Sequence, residues 1–273
     1  MTDFVEEPFT IISSHYQHKL SCIFHRKRFP YIDDQNREHV VIICHGYMSH
    51  KNALFLPQLS RNISNSDTNQ FHSVRFDFHG CGESTGRDEW DYGGYEDEAK
   101  DDLRCVVEYL RNRNDKYFIR GLIGHSRAGT TALLYALYYD DIPIIVNIAG
   151  RYRLERGINE RFSKQQLDKL EKNGSFIICT RDDGNFRITS EAIERRKSLD
   201  LSQIEKIRHA KVLSIWGDQD NVVPGDDIYL YNEQLKNTKK NEMIIVSDAN
   251  HCFIGKEREL INIIQQWIQQ SIE

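Results

Sequence analysis

Short apolar runs alternate with longer amphipathic stretches from residue 40 to the end of the chain. Apolar runs of this length are typical of strands that are buried on both faces of a parallel sheet. The predicted strands are 40–44, 72–77, 118–123, 143–148, 211–216 and 242–246. The predicted helices are 51–63, 95–111, 126–139, 226–235 and 256–268. This alternation predicts the α/β class, with a mostly parallel, twisted sheet and helices on both faces.

The N-terminal part has a different pattern. Residues 9–13 and 20–25 form two short strand-like runs that are separated by a polar turn. Runs of this kind predict an antiparallel hairpin before the first buried strand.

Residues 151–203 interrupt the alternation between two sheet strands. They contain helix-like stretches around a short apolar patch at 175–180, which is followed by a polar turn at 182–185. Because open α/β sheets bind ligands at the carboxyl ends of their strands, we expect this insertion to be a lid over that edge. The core is then formed by residues 1–150 and 204–273. The insertion holds twelve lysines and arginines against nine aspartates and glutamates, so it is locally basic.

Composition restricts the class of protein. A chain of 273 residues with 39% hydrophobic and 28% charged residues predicts one soluble globular unit. Its apolar runs are far shorter than the roughly 20 residues of a membrane-spanning helix, so we expect no integral membrane association. The first eight residues are acidic and lack the apolar run of a targeting signal, which makes a cytoplasmic location the default expectation. The net charge of -5 argues against nucleic acid as a partner.

Cysteines and histidines give no sign of a metal or cofactor. The six cysteines contain no C-x-x-C pair, and several lie in apolar runs, so we expect reduced, buried thiols. The eleven histidines form no cluster with cysteines at zinc-binding spacing. The sequence therefore predicts neither a metal nor another cofactor, and it leaves the oligomeric state open.

A candidate nucleophile lies between a strand and a helix. The strand at 118–123 runs directly into Gly124-His125-Ser126-Arg127-Ala128-Gly129, and a helix follows. A serine at such a sharp turn is exposed at the edge of the sheet, provided that the residues two before and two after it are small. Gly124 and Ala128 satisfy that condition, although glycine is the commoner residue at the later position. We therefore predict Ser126 to be the nucleophile.

A carboxylate and a histidine follow in the chain order that this arrangement requires. The strand at 211–216 is followed by a loop that contains Asp218 and Asp220, and the strand at 242–246 is followed by His251. Serine is a weak nucleophile unless a histidine accepts its proton and a carboxylate fixes the histidine tautomer. All three loops leave the same edge of the predicted sheet, so we expect their side chains to converge there.

The loop after the first buried strand, Cys44-His45-Gly46-Tyr47, supplies a further expected part. In this architecture one backbone N–H of that loop and the N–H of the residue after the nucleophile form the oxyanion hole. We assign these donors to Tyr47 and Arg127. His45 is expected to hydrogen-bond the backbone rather than take part in the chemistry.

These motifs together resemble the α/β-hydrolase superfamily over about residues 10–270. The resemblance is closest to serine esterases and lipases, including cinnamoyl (feruloyl) esterases, monoacylglycerol lipases and serine aminopeptidase-like hydrolases. It rests on the His-Gly loop at 45–46, the turn at 77–84, the motif at 124–129, the run at 217–224 and His251. It implies that the catalytic acid is Asp220, three residues before Val223-Pro224, with Asp218 as a neighbour.

The predicted function is hydrolysis of a small-molecule carboxylic ester or thioester through an acyl-enzyme. Two alternatives stay open, namely an amide, peptide or carbon–carbon bond hydrolase that uses the same triad, and a non-enzymatic ligand receptor on a hydrolase fold. Arg151, Arg153, Arg156 and Arg161 lie just after a strand end. Helical spacing places Arg153 and Arg156 on one face, so they are candidates for binding a substrate carboxylate. The competing interpretation is a solvated surface on which Glu155 and Glu160 pair with the arginines.

Overall fold

Most of the described strands belong to one sheet. The computed structural model describes residues 4–65, 71–113, 116–180 and 184–272. Its strands are β1 (Phe4–Ile12), β2 (Lys19–Lys27), β3 (Glu38–Cys44), β4 (His72–Phe76), β5 (Tyr117–His125), β6 (Ile144–Ile148), β7 (Ser175–Thr180), β8 (Gly184–Thr189), β9 (Lys211–Gly217) and β10 (Lys240–Val246). Eight of them form a sheet in the order β1-β2-β4-β3-β5-β6-β9-β10. β2 is antiparallel to β1 and β4, and the strands from β4 to β10 in that order pair in parallel. The predicted fold class and the N-terminal hairpin are therefore confirmed.

The helices lie mostly where the sequence pattern predicts them. They are α1 (Leu56–Asn65), α2 (Tyr95–Asp97), α3 (Arg104–Arg111), α4 (Arg127–Tyr139), α5 (Ile158–Arg161), α6 (Lys164–Asn173), α7 (Ser190–Ser198), α8 (Asp226–Gln234) and α9 (Glu257–Gln270). A π-helical segment, Glu98–Leu103, joins α2 to α3. The predicted start of the first helix at residue 51 is wrong, because Lys51 lies in a turn and is bound by Asp77 through both its backbone N–H (2.6 Å) and its ammonium group (2.5 Å).

Apolar side chains cover both faces of the sheet. Along β3, Val40 and Ile42 belong to the cluster that contains the buried residues of α3 and α4. Val41 and Ile43 belong to the cluster on the other face, with the buried residues of α1 and α9. Because consecutive strand residues point to opposite faces, burial on both faces requires an uninterrupted apolar run. The continuous apolar runs of the sequence are therefore explained by helices that cover both faces of the sheet.

Residues 151–203 carry α5, α6, the antiparallel hairpin β7–β8 and α7. The predicted strand at 175–180 is present as β7, whereas residues 182 and 183 of the predicted turn lie outside the described residues. Phe176 and Phe186 of the hairpin are buried against Trp90 and Tyr92 of the core. The insertion therefore packs on the segment after β4 through an apolar cluster that is separate from the two clusters on the sheet.

All six cysteines are described, and all are free thiols. Four are buried, but Cys179 is exposed on β7 and Cys252 is half-buried beside His251, so the expectation of burial is wrong for these two. None of the helices within the described ranges has the length and apolarity that a membrane span needs.

Candidate active site

Ser126 alone forms the turn between β5 and α4. Its φ of 54° and ψ of -119° are unfavourable for a residue with a side chain, at a cost on the order of 1–3 kcal/mol. Two backbone hydrogen bonds hold it, since Ser126 N donates to Ile148 O (2.7 Å) and Gly129 N donates to Ser126 O (2.9 Å). A Cβ atom on Gly124 would lie 2.1 Å from Ala128 O. The strand and the helix therefore approach too closely at this point for any residue except glycine.

Three side chains from distant parts of the chain form a hydrogen-bonded series at the carboxyl ends of the strands. Ser126 Oγ donates to His251 Nε2 at 2.9 Å, and His251 Nδ1 donates to Asp220 Oδ2 at 2.7 Å. The Asp220 side chain is fully buried, and that of His251 is 10% exposed. Asp220 Oδ1 accepts from the backbone N–H groups of Val222 (2.8 Å) and Val223 (2.9 Å). The carboxylate is thereby fixed on one side, and its other oxygen orients the imidazole.

Asp218, the other acid of this loop, has a different set of contacts. Its Oδ1 accepts from the backbone N–H of Asp248 at 2.8 Å and from the side-chain amide of Gln219 at 3.2 Å. It thus ties the loop after β9 to the loop after β10 and is not hydrogen-bonded to His251.

The backbone at Tyr47 and Arg127 adjoins the serine. A Cβ atom on Gly46 would lie 3.1 Å from Ser126 Cβ, so the loop that contains Tyr47 packs directly on Ser126. Arg127 is the first residue of α4, where backbone N–H groups have no partner within the helix. His45 donates from Nδ1 to Gly46 O (2.8 Å) and accepts at Nε2 from Phe78 N (3.0 Å), so it holds this loop through backbone contacts.

The side chain of Arg127 has a separate, structural set of contacts. It donates to the buried Glu98 carboxylate at 2.7 Å and to the carbonyl oxygens of Asp91 (3.0 Å) and Tyr92 (2.6 Å). Burial raises the pKa of Glu98, and the neighbouring guanidinium opposes that shift. Glu98 belongs to the π-helical segment, whose wider turn is absent from a regular helical pattern. Sequence reasoning missed this pair because the partners lie far apart along the chain.

His125, immediately before the serine, supports His251 from beneath. Its Nε2 donates to the carbonyl oxygen of His251 at 2.9 Å. Burial, together with the charge of His251, lowers the pKa of His125 to about 4. His125 is therefore neutral at neutral pH and adds no positive charge beside the imidazole that accepts the serine proton.

Two cavities meet at this site. The first, here the serine cavity, has a volume of about 450 Å³ and is lined by Ser126 and His251. The second, here the outer cavity, has a volume of about 900 Å³ and is lined by the loop of Asp220 and by residues 155–161. Arg161 and Val222 line both cavities. A ligand that reaches from one cavity to the other would therefore pass these two side chains.

The arginines of the insertion are distributed differently from the sequence-based expectation. The helical spacing assumed for Arg153 and Arg156 is wrong, because residues 151–157 form turns and α5 begins only at Ile158. Arg153 is bound by Asp226, and Arg156 lies 3.5 Å from the same carboxylate and 3.9 Å from that of Glu155. Arg156 lines the outer cavity, whereas Arg153 lines neither cavity.

One group of side chains within the described ranges has the donor atoms of a metal site, namely His18, His79 and Asp102, within 4.8 Å of one another. However, the two imidazole rings are stacked, with centroids 5.1 Å apart and an interplanar angle of 19°. Lone pairs lie in the ring planes, so nearly parallel rings do not direct them at a common ion. His79 Nδ1 instead donates to Asp102 Oδ2 at 2.7 Å. Burial opposes the charge on His79, but Asp102 outweighs it and raises the pKa of His79 from 6.5 to about 9.

We expect this buried pair to stabilise the fold in a pH-dependent way. Because the pKa of His79 is higher in the folded state, its contribution is fully present below about pH 6.5 and is lost as the pH rises through about 9. The loss of unfolding free energy in His79→Gln relative to the parent protein should thus be larger at pH 6 than at pH 9.5. Urea titrations at both pH values measure this difference. If His79→Gln lowers the free energy of unfolding by the same amount at pH 6 and pH 9.5, His79 is not charged in the folded protein.

Comparisons with known proteins agree with this architecture. The chain has the α/β-hydrolase fold. A family model described as the alpha/beta hydrolase fold matches residues 39–150. Est1E from Butyrivibrio proteoclasticus, solved with bound ferulic acid, is similar with a TM-score of 0.74 and 16% identity over 97% of this chain and 99% of that chain. The Pyrococcus furiosus esterase Pf2001 has a TM-score of 0.71 and 17% identity over 99% of this chain and 92% of that chain. No curated protein matches the sequence.

Proposed function

We propose that the protein is a serine hydrolase that cleaves a carboxylic ester or thioester through an acyl-enzyme. The observation that carries this proposal is the series of hydrogen bonds from Ser126 through His251 to Asp220, with lengths of 2.9 and 2.7 Å. Each distance lies within the range that proton transfer needs, and the series opens into a cavity.

In the proposed first half-reaction Ser126 Oγ attacks the carbonyl carbon of the ester while His251 Nε2 accepts the serine proton. The tetrahedral intermediate collapses when His251 gives that proton to the leaving oxygen or sulfur, which leaves the acyl group on Ser126. In the second half-reaction water attacks the acyl carbon, His251 again accepts and returns a proton, and the acid is released. Asp220 holds the imidazole in the required tautomer and stabilises the imidazolium.

The negative charge that develops on the carbonyl oxygen needs fixed donors. We assign the backbone N–H groups of Tyr47 and Arg127 to this role, because both adjoin Ser126 and one belongs to the first turn of a helix. Each such donor is worth roughly 3 kcal/mol of transition-state stabilisation. The nucleophile, base and oxyanion donors all come from the chain, so the proposed reaction needs no cofactor.

We further propose that the insertion 151–203 is a lid over a core that is formed by residues 1–150 and 204–273. Its Arg161 and Thr180 line the serine cavity. We infer that the substrate is a small molecule held between this lid and the sheet edge. The similar solved structures support an ester substrate, since Pf2001 is an esterase and Est1E was solved with bound ferulic acid.

The proposal is tested by labelling and by turnover. A fluorophosphonate probe should label the purified protein at Ser126, as located by peptide mass spectrometry, and a series of p-nitrophenyl esters of increasing acyl length should be hydrolysed with a defined optimum. Labelling with turnover of anilides but not of esters would favour the amide or peptide alternative. Neither labelling nor turnover would favour a ligand receptor on a hydrolase fold.

A further inference from the structure

Arg151 is a buried cation beside the proposed active site. It is 7% exposed, and one of its terminal nitrogens, Nη2, donates to the carbonyl oxygen of Val222. The other, Nη1, is buried and has no hydrogen-bond partner among the residues that the structure describes. A buried charged group with an unsatisfied nitrogen is costly, so the Arg151 guanidinium, in the wall of the outer cavity, is a candidate for stabilising an anionic ligand there.

The buried carboxylate of Asp227 lies near Arg151, and its Oδ1 has no hydrogen-bond partner among the described residues. Asp227 Oδ2 accepts from the backbone N–H groups of Tyr152 (3.0 Å) and Arg153 (3.4 Å). No hydrogen bond joins Asp227 to Arg151 in the described structure. Burial lowers the pKa of Arg151, the positive charges of Arg196 and Arg161 lower it further, and the carboxylate of Asp227 opposes them. Three guanidinium groups thus face one buried carboxylate. The local electrostatic environment therefore has an excess of positive charge.

A second guanidinium marks the path from the outer cavity to the serine. Arg161 lines both cavities, and its guanidinium lies 4.6 Å from the ring centroid of Tyr47. It forms no ion pair with any residue in the described part of the chain. Stacking on Tyr47 holds the guanidinium plane while leaving its N–H groups available to a ligand.

The other charged groups of the outer cavity have partners of their own, with one exception. Arg156 pairs with Asp226 and Glu155, and Lys197 pairs with Glu194. Asp220 is committed to His251 and to the backbone of its own loop. Glu160 is the exception, since it is exposed and has no ion pair among the described residues. One solvated carboxylate does not neutralise both Arg151 and Arg161, because exposed ion pairs contribute little.

We propose that Arg151 and Arg161 bind a carboxylate of the substrate, so that the preferred substrate is an ester bearing a remote acid group. The ester carbonyl lies at Ser126 in the serine cavity, and the carboxylate lies in the outer cavity, beyond Val222. Guanidinium groups bind carboxylates through paired, charge-assisted hydrogen bonds, which the exposed Arg161 can donate, and Arg151 adds a second positive charge in the cavity wall. This inference rests on the proposed function, because it names the substrate class of the same site.

The test compares charged esters with neutral esters that differ from them only by one methyl group. Mono-p-nitrophenyl adipate and its methyl ester place the acid or its neutral match on the acyl side, and 5-acetoxy-2-nitrobenzoate and its methyl ester place it on the alcohol side. The parent protein should prefer the acid form of at least one pair in kcat/KM. Arg161→Gln should reduce that preference, measured as the ratio of kcat/KM for the acid to kcat/KM for its methyl ester, by roughly tenfold to hundredfold. Arg151→Lys, which retains the charge without the fork, should also reduce it.

Arg187→Gln is the matched control, because Arg187 is an exposed arginine of the same insertion, on β8, and lines neither cavity. It should keep the parent preference. Circular dichroism of all variants identifies any that fail to fold. Because Arg161 is exposed, Arg161→Gln is the variant that should disturb the fold least. An unchanged ratio for both ester pairs in Arg161→Gln overturns the proposal.

A binding measurement separates this inference from the proposed function. Adipate should bind to the Ser126→Ala protein in a calorimetric titration and bind at least about tenfold more weakly when Arg161→Gln is added. If none of the four test esters is hydrolysed but adipate binding depends on Arg161, the hydrolase proposal fails and the anion site stands. If esters are hydrolysed through Ser126 but adipate binding is insensitive to Arg161, only the anion site fails. Inorganic phosphate that binds more tightly than adipate would overturn the assignment to a carboxylate.

Discussion

Replacing Ser126 with alanine should lower kcat for a p-nitrophenyl ester by about a millionfold and abolish fluorophosphonate labelling. The substitution removes the only atom to which His251 Nε2 is hydrogen-bonded in the described structure, at 2.9 Å, so no covalent intermediate can form. The remaining rate should come from the oxyanion donors and from substrate binding. Initial rates at high enzyme concentration, with an inactivated sample as the blank, measure the loss.

The fold should tolerate this substitution, because the turn is held by the backbone of Ser126 and not by its hydroxyl. Unchanged circular dichroism and an unchanged unfolding midpoint are the controls. If Ser126→Ala retains substantial turnover, another residue is the nucleophile and the proposed mechanism is wrong.

Replacing Asp220 with asparagine should reduce kcat by about four orders of magnitude. In the parent protein His251 Nδ1 donates to Asp220 Oδ2. The asparagine amide in that position can instead present its own N–H to Nδ1. The imidazole would then carry its proton on Nε2, facing Ser126, and could not act as the base. The change is nearly isosteric, and the amide oxygen can still accept from the N–H groups of Val222 and Val223.

Asp218→Asn is the matched control in the same loop. Asp218 accepts from the backbone N–H of Asp248 and is not bonded to His251, so the loss of its charge should cost far less activity. Steady-state kinetics of both variants with one ester give the comparison. A larger loss for Asp218→Asn than for Asp220→Asn would assign the acid of the triad to Asp218.

Much of the architecture follows from local pattern. The strands that are buried on both faces appear as continuous apolar runs because side chains alternate between two apolar clusters, as Val40 and Val41 do. The turn at Ser126 is recognisable because only glycine fits at position 124, where strand and helix meet. The order of serine, acid and histidine predicts their convergence, because parallel strands end at one edge of the sheet.

What the sequence by itself determined is therefore the fold class, the strands and the candidate nucleophile, since each depends on periodicity or on spacing within a few residues. The tertiary structure decided the rest. It pairs Arg153 with Asp226, leaves Arg151 and Arg161 at the cavities, and inserts a π-helical turn that directs Glu98 to Arg127. These contacts join residues from separate segments, and their partners depend on how turns and helices orient the chain in space. No periodicity encodes that orientation, which is why the helical spacing assumed for Arg153 and Arg156 is wrong, and why Arg156 lines the outer cavity while Arg153 does not.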